Sequence, residues 1–192
     1  MSVAIIDYGA GNIQSIRFAL ERLGVSATLS SDPETIQSSS HVIFPGVGEA
    51  SSAMAKLKST QLDTLIPELL QPVLGICLGM QLMCNSSEEG NTTGLGIFDT
   101  DVVRFTTTRN VPHMGWNEVK GNGVLFDKIP KDSHFYLVHS YYAKPNENMV
   151  GHCLYDINFA AAMAKNNFYG TQFLPEKSGV MGAQLLQNFL SL

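Results

Sequence analysis

Apolar positions along the first half of the chain alternate between two periods. Val3-Ala4-Ile5-Ile6 is an unbroken apolar run ending at Asp7, which predicts a strand covered on both faces. Gly9, Gly11 and Asn12 predict a turn, and Ile13, Ile16, Leu20 and Leu23 follow at helical spacing until Gly24 stops them. Ser26 to Leu29, His41 to Phe44 and Val73 to Ile76 are three more strand candidates, and Pro45-Gly46 ends the second of these. Helical segments are predicted at Ala50 to Lys58, at Asp63 to Leu70 and onward from about Gly79. The second half changes character. Asp99 to Phe105, Phe135 to Val138, Met149 to Tyr155, Ala160 to Ala164 and Tyr169 to Phe173 are short strand candidates, and Val180 to Leu190 reads as a terminal helix. The expected fold is α/β: a mainly parallel open sheet with helices on both faces and added antiparallel edge strands. In such sheets a site forms at the carboxyl ends of the strands.

Composition narrows the class. The 192 residues fit a single domain spanning 1–192, and 44% hydrophobic with 15% charged residues describes a globular chain. A net charge of −5 without any basic run argues against a nucleic-acid partner. Leu69 to Ser87 carries no charge, but Gln71, Pro72, Gly75, Gly79 and Gln81 interrupt it, so a strand, turn and helix are expected there and no membrane span. No signal peptide is expected before Val3, since no charged n-region or cleavage site is seen there, and the three cysteines are odd in number. A reduced, cytoplasmic protein without disulfides is expected. The five histidines are scattered, so no metal and no cofactor are expected.

The segment Gly75-Ile76-Cys77-Leu78-Gly79 carries the sharpest chemical signal. It places a cysteine between a strand and a helix, flanked by small residues that let the chain close tightly, as at a nucleophile elbow. The helix dipole and amides beyond Cys77 would favour its thiolate, and the Leu78 amide would face an oxyanion. Cys84, seven residues further along the same expected helix, and Cys153, in an apolar strand candidate, are expected in the core. Pro45-Gly46-Val47-Gly48 also follows a strand, so its backbone amides could supply a second oxyanion donor.

Two of these segments together resemble class I glutamine amidotransferases. Gly75 to Gln81 is similar to their nucleophile motif, and Gln172-Phe173-Leu174-Pro175-Glu176 to their second signature. Asp7-Tyr8-Gly9-Ala10-Gly11-Asn12, Pro45 to Gly48, Pro112-His113-Met114-Gly115-Trp116-Asn117 and His139-Ser140-Tyr141 narrow the resemblance to the glutaminase subunits of imidazole glycerol phosphate synthases. The resemblance implies hydrolysis of L-glutamine to glutamate and ammonia through a thioester on Cys77, with Glu176 orienting the base. It implies substrate contacts from Gly46, Val47, Gly48, Leu78, Gln81, Ser140 and Tyr141. It also implies a heterodimeric partner, a cyclase subunit that receives the ammonia and makes imidazole glycerol phosphate in histidine biosynthesis.

One position departs from the pattern. Leu174 stands where the second signature has a histidine, while Gly170 to Phe173 before it and Pro175 to Gly179 after it match without a break. Leucine cannot take the thiol proton or return it to departing ammonia, so this chain is expected to be impaired. His139 is the histidine whose motif lies nearest the site and is the one candidate for a replacement base. The alternative to an impaired glutaminase is a catalytically silent subunit that caps the cyclase barrel and shapes the ammonia path. Amidotransferases serving guanylate or anthranilate synthesis are disfavoured by the Pro112 to Asn117 and His139 to Tyr141 segments.

Overall fold

In a computed structural model describing residues 1–192, fourteen strands and six helices alternate, then give way to a run of strands closed by one terminal helix. In chain order they are β1 (Val3–Ile6), α1 (Ile13–Arg22), β2 (Ala27–Ser30), α2 (Pro33–Ser38), β3 (His41–Phe44), α3 (Ala50–Ser59) and α4 (Leu62–Leu65). There follow β4 (Val73–Ile76), α5 (Leu78–Leu82), β5 (Cys84–Ser87), β6 (Thr92–Thr93), β7 (Phe98–Arg104), β8 (His113–Glu118) and β9 (Lys120–Gly121). The chain ends with β10 (His134–His139), β11 (Tyr141–Ala143), β12 (Met149–Tyr155), β13 (Ile157–Lys165), β14 (Phe168–Thr171) and α6 (Gly179–Leu190).

The main sheet runs β2-β1-β3-β4-β14-β13-β11-β7-β5-β6, with β12 and β9 branching from β13. Its β2 to β14 half is parallel, and the strands beyond β14 join mainly antiparallel. Side chains of β1 alternate between two cores: Ala4 and Ile6 face α3 and α4, whereas Val3 and Ile5 face α1 and α6. β3 and β4 divide their side chains in the same way, which is why these strands read as continuous apolar runs. β8 and β10 form a separate antiparallel ribbon. No helix is long and apolar enough to cross a membrane.

Several expectations about elements are corrected. The helix after Cys77 ends at Leu82, so Cys84 lies on β5 instead of the same helix. The reason is tertiary: the Leu82 and Met83 carbonyls accept from Leu95, Ile97 and Phe98, which draws the chain out of the helix and beside β7. Cys84 and Cys153 are buried, as expected. The helix expected over Asp63 to Leu70 is the short α4 followed by a 3-10 turn, because Pro67 lacks the amide that a continuing helix requires. α2 was not anticipated. Asp32 caps it, its carboxylate accepting from the Thr35 amide at 2.9 Å, and Pro33 occupies the first turn.

Candidate active site

β4 delivers Cys77 at the carboxyl edge of the parallel sheet, with φ 55° and ψ −111°. Few non-glycine residues adopt this strained conformation. Its neighbours explain how the turn is held. A Cβ on Gly75 would lie 2.8 Å from the Met80 amide nitrogen, and a Cβ on Gly79 would collide with the Phe44 carbonyl. Gly46 packs in turn against the backbone of Leu78 and Gly79. The elbow and the loop after β3 therefore interlock backbone to backbone. Tyr8, from the turn after β1, donates its hydroxyl proton to the Pro45 carbonyl at 2.8 Å and so anchors that loop.

β14 lies parallel to β4 with Thr171 opposite Ile76, and the Cys77 amide donates to the Thr171 carbonyl at 2.7 Å. The chain leaving β14 passes directly beside the nucleophile as Gln172, Phe173 and Leu174. A cavity of about 260 Å³ opens there, near the small end of the ~300–1,000 Å³ typical of ligand pockets. Of the residues singled out in the sequence, Val47, Gly48, Cys77, Leu78, Gln81, Ser140 and Tyr141 line it, together with Leu174 and His139. Gly46 does not line the cavity; it is used up packing the loop onto the elbow. Glu176 also lies off this wall, bordering a second cavity beside α1 and α6. Glu89 and Val138 complete the lining and had no signal in the sequence beyond ordinary loop and strand positions. Glu89 reaches the cavity because its carboxylate accepts from the Ala50 amide at the start of α3, at 2.9 Å.

The electrostatics correct the expectation of a ready thiolate. Burial, the opposing dipole of a helix only five residues long notwithstanding, pushes the Cys77 thiol up to about 12. The nearby Glu176 carboxyl raises it further, while the Leu78 amide and Gln172 pull it down. Glu176 is nine-tenths buried, its Oε2 has no hydrogen-bond partner, and burial pushes its carboxyl up to about 7. An imidazolium between the two would reverse both shifts. Leu174, 6% exposed and on the cavity wall, supplies none.

His139 does not offer a substitute base. Its Nδ1 lies 2.7 Å from the Tyr141 carbonyl and must donate to it, which leaves Nε2 to accept from His113 Nδ1 at 3.1 Å. Burial lowers its pKa to about 3, so it takes up a proton only in strong acid. Tyr141 O also accepts from Gln81 Nε2 at 2.9 Å, and the Ser140 carbonyl accepts from the Phe105 amide. Both backbone carbonyls are thus committed within the protein. By contrast, no carbonyl or side chain engages the amides of Val47 and Gly48. The arrangement offers a cysteine sulfur, amide donors with no partner within the protein, a carboxylate on the cavity wall, and no proton carrier.

Comparison with known proteins agrees with this geometry. The family profile described as glutamine amidotransferase class-I matches residues 4–192. The chain is 53% identical to the imidazole glycerol phosphate synthase subunit HisH of Bacteroides fragilis strain YCH46 over 100% of both chains. It is 49% identical to the subunit of that name from Haemophilus influenzae strain Rd, over 99% of this chain and 97% of the other. Among solved structures, a putative GMP synthase component from Thermoplasma acidophilum shares the fold with a TM-score of 0.78. It is 18% identical, and the match covers 100% of this chain and 92% of that one.

Proposed function

The chain belongs to the class-I glutamine amidotransferase family and, within it, to the family of imidazole glycerol phosphate synthase subunit HisH; from that premise we propose that it is a cytoplasmic glutaminase subunit whose own hydrolysis is crippled at one position. In the reaction the Cys77 sulfur attacks the amide carbon of L-glutamine, and the carbonyl electrons move onto oxygen. The free Val47 and Gly48 amides and the Leu78 amide are the donors available to that oxyanion. Collapse of the oxyanion breaks the C–N bond and releases ammonia, which requires the proton that the thiol gave up. Water then cleaves the thioester to glutamate. Glu89, the carboxylate on the cavity wall, fits the substrate's α-ammonium group. Gln81 has both amide hydrogens committed, so its Oε1 remains as an acceptor.

The observation that carries the proposal is Leu174 on the cavity wall with Cys77, with Oε2 of the buried Glu176 left without a hydrogen-bond partner. That is the arrangement expected when a base between nucleophile and orienting carboxylate is replaced by a hydrocarbon. An exposed apolar surface supports the assignment to a two-protein complex. Met114 and Trp116 of β8 are 62% and 57% exposed and stand opposite Val138 and Tyr136 of β10. Val138 also lines the cavity, so this apolar face runs to the mouth of the site, and we assign it to the cyclase partner.

With cyclase and cyclase ligand present, ammonia release by this chain is expected near background. Leu174→His is expected to raise it by about 10²–10⁴-fold, the usual contribution of general acid–base catalysis. Robust turnover without that substitution would refute the proposal. Tight cyclase binding with no gain on Leu174→His would favour the silent subunit, the alternative that the half-buried Cys77 thiol, pushed up to about 12, supports.

A further inference from the structure

A second glutamine, Gln172, is wholly buried behind Cys77 and was given no role by the sequence. Its side-chain amide nitrogen lies 3.7 Å from Cys77 Sγ, and its Oε1 accepts from Gln81 Nε2 at 2.8 Å. Carbonyl and amino ends of an amide are nearly identical in shape, so polarity must be read from the partners. Here the partners leave one solution. The Tyr141 carbonyl can only accept, so both groups beside it, His139 Nδ1 and Gln81 Nε2, must donate. Gln81 therefore turns its NH₂ toward Gln172 as well, and Gln172 must answer with oxygen. The NH₂ of Gln172 is then forced toward sulfur. A backbone carbonyl on β11 fixes, through two side chains, the direction of a donor aimed at the nucleophile.

We propose that Gln172 is a further catalytic residue of the site, whose N–H donates to the Cys77 sulfur and stabilises its anionic form, with Gln81 and Tyr141 setting its polarity. The role deepens the glutaminase reading and rests on it for its purpose, though not for its test. The titratable groups around the sulfur are Glu176, Glu89 and Tyr8, with His139 on the same cavity wall held neutral by burial, so none carries positive charge. The Leu78 amide and Gln172 are the two donors that oppose them. In a chain that lacks an imidazole at position 174, Gln172 is the one side chain that favours sulfur as an anion, both before attack and when the thioester breaks and the electron pair returns to it.

The test is the rate of Cys77 carbamidomethylation by iodoacetamide across neutral to alkaline pH, followed by mass spectrometry of the Cys77 peptide in the full chain. Only the thiolate reacts, so the rate reads the sulfur whether or not glutamine is hydrolysed. Gln172→Met keeps the volume and removes the donor, and is expected to slow alkylation about tenfold at each pH below the thiol pKa. Gln172→Glu turns an acceptor toward sulfur and is expected to slow it further. Gln172→Asn withdraws the donor by one methylene and serves if the Met variant does not fold; it is expected to slow alkylation as well. A merely structural Gln172 would loosen the site and speed alkylation in every variant. That result, or unchanged rate profiles in folded variants, would overturn the proposal. Failure of Leu174→His to restore turnover would leave this outcome unaffected.

Discussion

The consequences of Leu174 are confined to a few atoms. Leu174 offers no polar atom to the half-buried Cys77 thiol or the buried Glu176 carboxyl, and without a cation beside them burial raises both, to about 12 and about 7. Tyr8 shows a different dependence at the same scale. Its hydroxyl holds the Pro45 carbonyl, at the start of the loop whose Val47 and Gly48 line the cavity. Tyr8→Phe keeps the ring packed on Phe44 and removes only that bond. In a Leu174→His background it is expected to lower kcat about tenfold with little change in KM, because amide direction matters most when the oxyanion forms. The unfolding free energy should fall by about 1 kcal/mol, measurable by urea titration. Cys77 and Leu174 were legible in the sequence because each belongs to an ordered motif. Gln172 was visible in a motif but had no assignable role, since a hydrogen bond to sulfur depends on which strand lies beside β4. Glu89 had no signal at all, because only the docking of its loop against α3 brings it to the cavity.

Among the elements, the elbow and the loop after β3 behave as one part. Gly79→Ala places a methyl group against the Phe44 carbonyl, where neither backbone can give way without moving β3 or α5. Such overpacking typically costs about 1–3 kcal/mol, and here it should also displace the Gly46 to Gly48 amides. Equilibrium unfolding should report the loss, and a fall in Cys77 carbamidomethylation that outlasts correction for the unfolded fraction should report the displacement. The central strands were readable because burial on both faces writes them as continuous apolar runs. β5, β6, β8 and β11 were not readable. Their residues carry no clear period; β8 and β11 pair with strands distant in sequence, β10, β7 and β13, and β5 and β6 are only four and two residues long. The short α5 had the same cause, since distant amides claim the carbonyls that would have continued it.

For the whole molecule, three buried groups set opposing pH dependences. Burial lowers His113 to about 4 and His139 to about 3, so between these values and the ordinary histidine range the unfolded chain binds more protons and stability rises with pH. Glu176 is raised to about 7, so the folded chain holds a proton that the unfolded chain releases above 4.5, and stability falls as pH rises through 7. Two histidines outweigh one carboxyl below about pH 6.5, the unperturbed histidine value. Thermal unfolding should therefore show a midpoint that climbs from about pH 4.5 to 6.5 and levels off near pH 7, where the two contributions cancel. Glu176→Gln removes the opposing carboxyl and should steepen the climb. The sequence by itself determined the parallel core, the tight turn at Cys77 and the leucine within the second signature, because burial on both faces, a glycine-flanked turn and an unbroken motif are local properties. Tertiary structure alone decided that the thiol is held neutral, that His139 is already committed, and that a buried glutamine points its donor at sulfur. Those depend on desolvation and on hydrogen-bond polarity passed between strands, neither of which any local stretch of sequence encodes.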